Sequence, residues 1–542
     1  MQKTNKTQAA PVTLSRRRAL ASAAAAAFTA AASPAHALSV DEASQIKWDQ
    51  TADVVVLGYG NAGTNAAIAA HDAGASVVIL EKMAEGGGNV AVSSGGFVVP
   101  LDREAYYTYL KSLYELSLSQ WDPELLRVFC DESMKLADYV KSLDAKAKPI
   151  VYGHAGYQNL PGAESVQKIS IHGVPGKKGG DRLFGVFARA VQSRGIPVLL
   201  ETPARRLVLE KGVVAGVEAL RGGKPYFVRA SKAVIIATGG FQCSPQLMQT
   251  YIFGQPMSYL GSPGHTGDGL LMAQSVGAQL WHMNAVSAPL GIQVPGVQAG
   301  IALITRQPSF IWVDQYGKRF CDEKGLDYHC SWMAVNRFDA TQHKYPAIPC
   351  YMIMDQRYID AGPVVSSGGS GYAINREHYV WSKDNSAEIK SGVIIKAETL
   401  KELADKIKVP AKTLAATVKR WNTDLTKEGV DTEFGRRISA DPNQKSVFVG
   451  RDVKAWSAPI SETGPYYALR LVPVLYHTMG GPRRSVKSEC LDTQGRPIPR
   501  LYVAGELGSL WGLTYQGACA NSDAMIFGRI AGREAAGLSP RA

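Results

Sequence analysis

Residues 52–57, ADVVVL, form a short apolar run rich in β-branched side chains. A run of this length without alternation reads as a strand buried on both faces of a parallel sheet. GYGNAG follows at 58–63, then TNAAIAAHDAG with apolar residues at helical spacing, then a second short run, SVVILEK. Strand, glycine-rich turn, helix and strand make one complete βαβ unit. RLFGVFARAVQSRG (182–195) predicts a helix and PVLLE (197–201) a strand. A hairpin-like stretch then leads to the buried strand AVIIATGG (233–240). TLKELADKIKVPAKTLAATVKRWNTDL (399–425) predicts two helices broken at Pro410, because proline cannot continue a helix ladder. The chain closes with the strand RLYVAGE (500–506) and a helix after Tyr515. Nucleotide-binding elements thus stand at both ends with different material between. The expected fold is α/β: a Rossmann-type domain split in sequence into 48–290 and 451–542, with an α+β capping domain inserted at 291–450.

The first 37 residues depart from this pattern. SRRRAL is a twin-arginine motif, an Ala-rich and only moderately apolar run follows, and Ala35-His36-Ala37 is an A-x-A cleavage site. The run is too short and too rich in alanine to span a bilayer well. The expectation is a twin-arginine signal peptide, 1–37, read by the Tat translocase and cleaved after about Ala37, with a periplasmic mature chain. Net charge is +12, and five of the positive charges lie in this leader with no acid beside them. The remaining excess is mild and scattered, without a basic block interleaved with aromatics, which excludes nucleic acid as the expected partner. Seven cysteines without a C-x-x-C argue against a disulfide framework, a zinc knuckle or a covalently attached haem, so no metal is expected.

Gly58, Gly60, Asn61, Ala62 and Gly63 belong to a G-x-G-x-x-G turn that follows a strand and opens a helix. Glu81, with Lys82 beside it, ends the next strand about 20 residues on, the spacing of a dinucleotide site. The glycines allow a tight turn and close backbone approach, the helix N-terminus receives pyrophosphate, and Glu81 accepts from ribose hydroxyls. A second glycine-rich loop, EGGGNVAVSSGG, carries Gly88, Asn89, Ser94, Gly95 and Gly96. NAD has no use for that loop, whereas the longer FAD does. ATGG (Ala237, Thr238, Gly239), HTGDG with Asp268, and LYVAGE with Glu506 add further close approaches.

In this order the motifs resemble those of the fumarate reductase/succinate dehydrogenase flavoprotein family, its soluble single-chain branch above all, with 3-ketosteroid Δ1-dehydrogenases as cousins. The resemblance spans about residues 50–537. It implies FAD, a mobile capping domain, and a small unsaturated substrate held at the flavin. Relatives that bind FAD covalently do so through a histidine in the second loop. Asn89 matches that position, which implies non-covalent FAD. Haem and FMN domains found in some relatives have no counterpart, which implies an external electron donor or acceptor, a periplasmic cytochrome c or a quinol-linked partner. Asn521 and Ser522 match the loop that meets the flavin ring.

Fumarate reductases hold two carboxylates with histidines and arginines, and guanidinium groups suit that work because they bind carboxylates bidentately. HTMGG (477–481) matches the substrate histidine, so His477 carries over. The final family arginine falls on Tyr515 within TYQGACANSD. The arginine expected four residues after the glutamate of GKRFCDE falls on Asp327, or on Tyr328 with a one-residue shift. The other family histidine falls near Pro289. An upstream relay arginine matches Arg306, but its glutamate partner falls on Leu303. With two arginines replaced by phenols or an acid, the resemblance implies a substrate whose carbonyl is conjugated to a carbon–carbon double bond. Tyr515 would polarise that carbonyl; the ketosteroid enzymes carry a tyrosine placed much like it. Two activities follow: reduction of an enoate or enone, or introduction of a double bond beside a ketone. A non-catalytic flavin-binding role fits poorly with the retained His477 and Arg306, and a peroxide-forming oxidase is separable by oxygen consumption.

Overall fold

The computed structural model describes residues 46–541, apart from 177–178, 298, 306, 366–378 and 439–455. The leader and its A-x-A site, and Arg306, therefore lie outside the described residues. The first apolar run is strand β1, Gln50–Leu57, with Val54, Val55 and Val56 fully buried. Helix α1, Asn61–Asp72, follows, then β2, Val77–Leu80, β3, Val198–Leu199, and β4, Lys224–Ile236. The C-terminal part adds β5, Pro497–Val503, and helix α2, Cys519–Gly537.

Strands β5, β4, β1, β2 and β3 lie side by side in that order and all run parallel. Val56 pairs with Ile79 on one side and Ile235 on the other, and Val503 pairs with Ile236. Burial on both faces explains why these strands read as continuous apolar runs. A meander at Ala204–Glu210 and Val213–Arg221 extends β4, and Glu489–Leu491 covers β5 antiparallel, giving eight strands. The result is a mixed α/β fold around a parallel sheet to which both ends of the chain contribute.

Small residues set the spacing of this layer. Gly58 has φ +104°, and a Cβ there would lie 2.4 Å from the Ala237 carbonyl oxygen. A Cβ on Gly63 would lie 1.9 Å from the Gly58 oxygen, so the third glycine of the motif brings α1 down onto β1. Helix α2 packs on α1 in the same way: a Cβ at Gly528 or Gly532 would lie 2.5 or 2.2 Å from the carbonyls of Ala62 and Ala66.

A second sheet of seven strands is centred on Tyr466–Leu475. That strand pairs with Cys350–Asp355 and Ile394–Ala397 along its first half. Leu290–Ile292 and Ser258–Tyr259 pair with its second half. Helices Leu400–Ile407 and Ala411–Glu428, interrupted at Pro410, bury Leu403, Leu414 and Trp421 against Ile311, Ile353 and Ala468. The second sheet thus draws strands from both sides of the 291–450 segment. Apolar patterning marks YYALRLVPVL as buried but does not say which sheet it joins.

Candidate active site

A cavity of about 430 Å³ runs from the β1–α1 turn to the loop before α2. Gly58, Gly60, Asn61 and Ala62 form one wall, and Glu81 and Lys82 close the end at β2. Gly88, Asn89, Ser94 and Gly96 come from the second glycine-rich loop, and Ala237, Thr238 and Gly239 from the turn after β4. Asp268, Glu506 and Asn521 also line it. Three expected contacts stand behind the wall instead. Gly63 lies within α1 against Gly58. Gly95 has φ +70° and packs on the Gly179 backbone. Ser522 turns its Oγ to accept from the Val98 N–H at 2.9 Å.

The polar groups of this half are arranged by backbone donors. The two Glu81 oxygens accept from the N–H groups of Tyr59 and Met83, each at 2.8 Å. Lys82 donates to Asp268 at 2.7 Å and to Thr266 at 2.6 Å, holding the 265–268 loop to the end of β2. Asn89 donates to Glu506 at 2.8 Å and accepts from the Ser262 N–H at 2.7 Å. Asn521 donates to the Gly96 carbonyl at 2.9 Å.

These features fit FAD. The Thr238 hydroxyl is buried in the cavity wall with no hydrogen-bond partner among the described residues. Glycine at 239 is needed because a Cβ would lie 2.5 Å from the His265 ring. The first turn of α1 presents N–H groups suited to phosphate.

The far end is built from rings. Tyr515, 2% exposed, meets the rings of His477 at 5.2 Å, His329 at 5.6 Å and Trp511 at 5.8 Å, all edge-on. Its hydroxyl accepts from the Ala520 N–H at 3.0 Å, in the first turn of α2. Tyr259, His265 and Tyr476 also line the cavity. Burial pushes the His477 pKa below its ordinary value, against the pull of the Glu506 charge. Burial raises the pKa of Glu506, but the neighbouring His265 and His477 outweigh it and leave the carboxyl below its ordinary value.

Neither Asp327 nor Tyr328 lines the cavity; His329 does. Tyr328–Cys330 forms a 3₁₀ turn capped by Asp327, whose Oδ1 accepts from the His329 N–H at 2.9 Å. At three residues per turn, consecutive side chains point about 120° apart. With 329 facing the cavity, Tyr328 faces elsewhere, and Asp327, the extended residue that caps the turn, lies behind the His329 ring. Tyr328 reaches the site through Tyr476, hydroxyl to hydroxyl at 2.6 Å, and burial pushes its phenol pKa up. The signal for His329 in the sequence was a carboxylate two residues before a histidine. His265 opens the HTGDG motif, and Tyr476 directly precedes His477. Among the described residues no arginine lines the cavity, and the lysine that does, Lys82, is paired with Asp268.

The model of the FAD binding domain family matches residues 53–522. The chain belongs to this family. Urocanate reductase of Eggerthella lenta is 28% identical over 507 residues, covering 90% of this chain and 75% of the relative. A 3-oxosteroid 1-dehydrogenase of Mycobacterium tuberculosis is 28% identical over an alignment of 583 positions, covering 89% of this chain and 98% of the relative. A solved 3-ketosteroid Δ1-dehydrogenase of Sterolibacterium denitrificans superposes with a TM-score of 0.77 at 23% identity, covering 90% of this chain and all of that one, a likeness of fold. This FAD-binding flavoprotein is an FAD-dependent oxidoreductase of the class that acts on carbon–carbon single and double bonds.

Proposed function

We propose that this oxidoreductase reduces a carbon–carbon double bond conjugated to a carbonyl, of enoate or enone type, with electrons from a separate redox partner. The observation that carries the reading is the composition of the far end of the cavity: a buried phenol between two imidazoles, with no arginine among the described lining residues. FAD, when bound, supplies or takes up two electrons together with one proton. Residues 58–62 and the first turn of α1 would hold its phosphates, Glu81 its ribose, and Asn521 with the start of α2 its ring end. Asn89 is an amide already engaged with Glu506 and Ser262, which supports non-covalent attachment.

The protein's own groups act on the substrate's carbonyl. The backbone N–H of Ala520 fixes the Tyr515 oxygen in place, and in this reading the phenol donates to a carbonyl oxygen on which enolate charge develops. A preorganised donor of this kind contributes about 3–4 kcal/mol. His477, kept neutral by burial, acts as a hydrogen-bonding partner and not as a fixed cation. Tyr259, Ala299 and His329 line the cavity from segments outside the parallel sheet, which supports the second sheet as a cap over the substrate. The twin-arginine leader supports export, and with it a periplasmic cytochrome c or quinol-linked partner.

The opposite direction, insertion of a double bond beside a ketone, is favoured by one observation: Tyr476, which lines the cavity and is tied hydroxyl to hydroxyl to Tyr328 behind it, supplies a further phenol for an enolising ketone. One experiment covers both. The flavin-loaded protein is reduced anaerobically with dithionite, and flavin absorbance is followed on mixing with fumarate, urocanate, cinnamate, 2-cyclohexenone and Δ1 or Δ4 3-ketosteroids. Fast reoxidation by the carbonyl-conjugated alkenes with fumarate slow is the expected result. Fumarate as the fastest acceptor would overturn the reading. If only steroid pairs react, the dehydrogenase direction is selected.

A further inference from the structure

We propose that His329, oriented by Asp327, carries the proton exchanged between solvent and substrate carbon in this cavity. The inference rests on the carbon–carbon reading above and assigns the second proton that this reading leaves open. Saturating a double bond takes two electrons and two protons. The flavin chemistry accounts for both electrons and one proton. The other proton comes from the imidazolium Nε2–H, leaving a neutral ring that regains a proton from solvent. In the reverse direction the neutral ring takes a proton from the carbon beside the carbonyl.

The geometry is that of an oriented acid–base pair. His329 lines the cavity beside Tyr515, and its Nδ1 lies 3.4 Å from Asp327 Oδ1. The Asp327 side chain is 4% exposed and the His329 side chain 15%. A carboxylate beside Nδ1 fixes the ring's orientation.

Two glycines make room for the pair. A Cβ at Gly156 would lie 2.4 Å from Asp327 Oδ2, and one at Gly517 would lie 2.2 Å from His329 Cε1. Neither has a positive φ, so the backbone does not demand glycine at either place. What each position supplies is space for a side chain of the pair. Gln516 ties the two walls together, accepting from the Gly156 N–H at 2.9 Å and from the Tyr109 hydroxyl.

The surroundings favour a charged Asp327. Burial raises its pKa, but the contact with His329 and the charges of His329 and Lys168 outweigh burial and leave it below the ordinary carboxyl value. Lys168 is 2% exposed, and burial lowers its pKa against the pull of Asp327. The other titratable groups facing the pair are Tyr109, Tyr157 and Cys330 around Asp327, and Tyr328, Tyr476, Tyr515 and His477 around the imidazole.

The test uses the flavin-loaded protein and the variants His329→Gln, Asp327→Asn and Gly517→Ala, with 2-cyclohexenone as acceptor. Flavin absorbance and thermal melting establish that each variant is folded and loaded. His329→Gln is expected to slow reoxidation on the order of 10²–10⁴-fold, the range of general acid–base catalysis. The wild-type rate is expected to fall as pH rises, because the donor must be protonated, and the glutamine variant is expected to lose that limb. Gly517→Ala, which displaces the ring without altering its chemistry, is expected to slow the reaction while keeping the limb. Independently of turnover, NMR of ¹³C-labelled histidine follows the His329 Cε1 titration, which moves to lower pH in Asp327→Asn. A glutamine variant with the wild-type rate or the wild-type limb overturns the proposal. So does an Asp327→Asn variant whose His329 titration is unmoved. A wild type inert toward every enone and enoate sinks the functional reading instead, and the NMR titration still judges the pair.

Discussion

Two of the clusters of buried charge among the described residues are built from different cations. Beside the second sheet, Arg319 pairs with Glu323 and with Asp431, each at 2.7 Å, and Arg436 pairs with Glu323 at 3.1 Å. All four side chains are 2% exposed or less, and the Trp421 ring covers both guanidiniums. Arg436 also donates to the carbonyls of Phe310, Pro308 and Trp456. Burial raises the Glu323 pKa, yet the two arginines outweigh it and hold the carboxyl below its ordinary value. At the cavity, by contrast, Asp327 and Glu506 face His329, His265 and His477. Guanidiniums keep their charge at every accessible pH, while imidazoles change theirs near neutrality. One cluster is fixed and closed, and suits structure. The other is built on imidazoles and opens on a cavity, and suits proton chemistry.

Breaking the fixed cluster should have the largest effect. Glu323→Ala leaves two buried guanidiniums short of their acid and should cost about 3–5 kcal/mol of stability, read by thermal or denaturant unfolding. An unchanged melting temperature with lost turnover would reverse the roles assigned to the two clusters. Next comes Tyr515→Phe, expected to slow flavin reoxidation by an enone about 10²–10³-fold while flavin content and melting stay near wild type. Unchanged turnover would remove the phenol from the chemistry.

Acid should separate the clusters by pH. The folded pKa of His477 lies below 6.5, so as pH falls the unfolded chain takes up the proton first. Stability contributed by keeping this histidine neutral is present above about pH 6.5 and is lost as pH falls through the folded value. For Glu323 the corresponding stability is present above 4.5 and is lost only below that value, as the folded pKa is passed. An acid titration of unfolding free energy should lose its earlier limb in His477→Asn and its later one in Glu323→Gln. The smallest effect is expected at the partly exposed pair Lys82–Asp268. Lys82→Met should change stability by less than about 1 kcal/mol and weaken FAD binding only a few-fold, measured by flavin release.

The part of the fold that was legible in the sequence is the part fixed by local rules. Apolar runs bounded by glycine turns placed β1, β2 and β4, and Pro410 divided the helix pair. The partner of Tyr466–Leu475 was not legible, because patterning encodes burial and not which strand lies alongside. At the site the same limit appears. His477 and Tyr515 stand in compact motifs, and both line the cavity. His329 is not marked by the family spacing, which points to the fourth residue after Glu323, Asp327. Which residue faces the cavity depends on the rotation of a 3₁₀ turn. That rotation is set by the Asp327 cap and by room left at Gly156 and Gly517, far away in sequence.

The central claim is that the far end of the cavity recognises a carbonyl and not a pair of carboxylates. It is tested most directly by two acceptors with one carbon skeleton, fumarate and dimethyl fumarate. Each rate of flavin reoxidation is divided by the rate with free reduced FAD, which removes the intrinsic difference between the two alkenes. A phenol and imidazoles in place of a guanidinium clamp predict a larger protein-specific acceleration for the neutral diester. A larger acceleration for fumarate would contradict the account, because it would require fixed cations at the substrate.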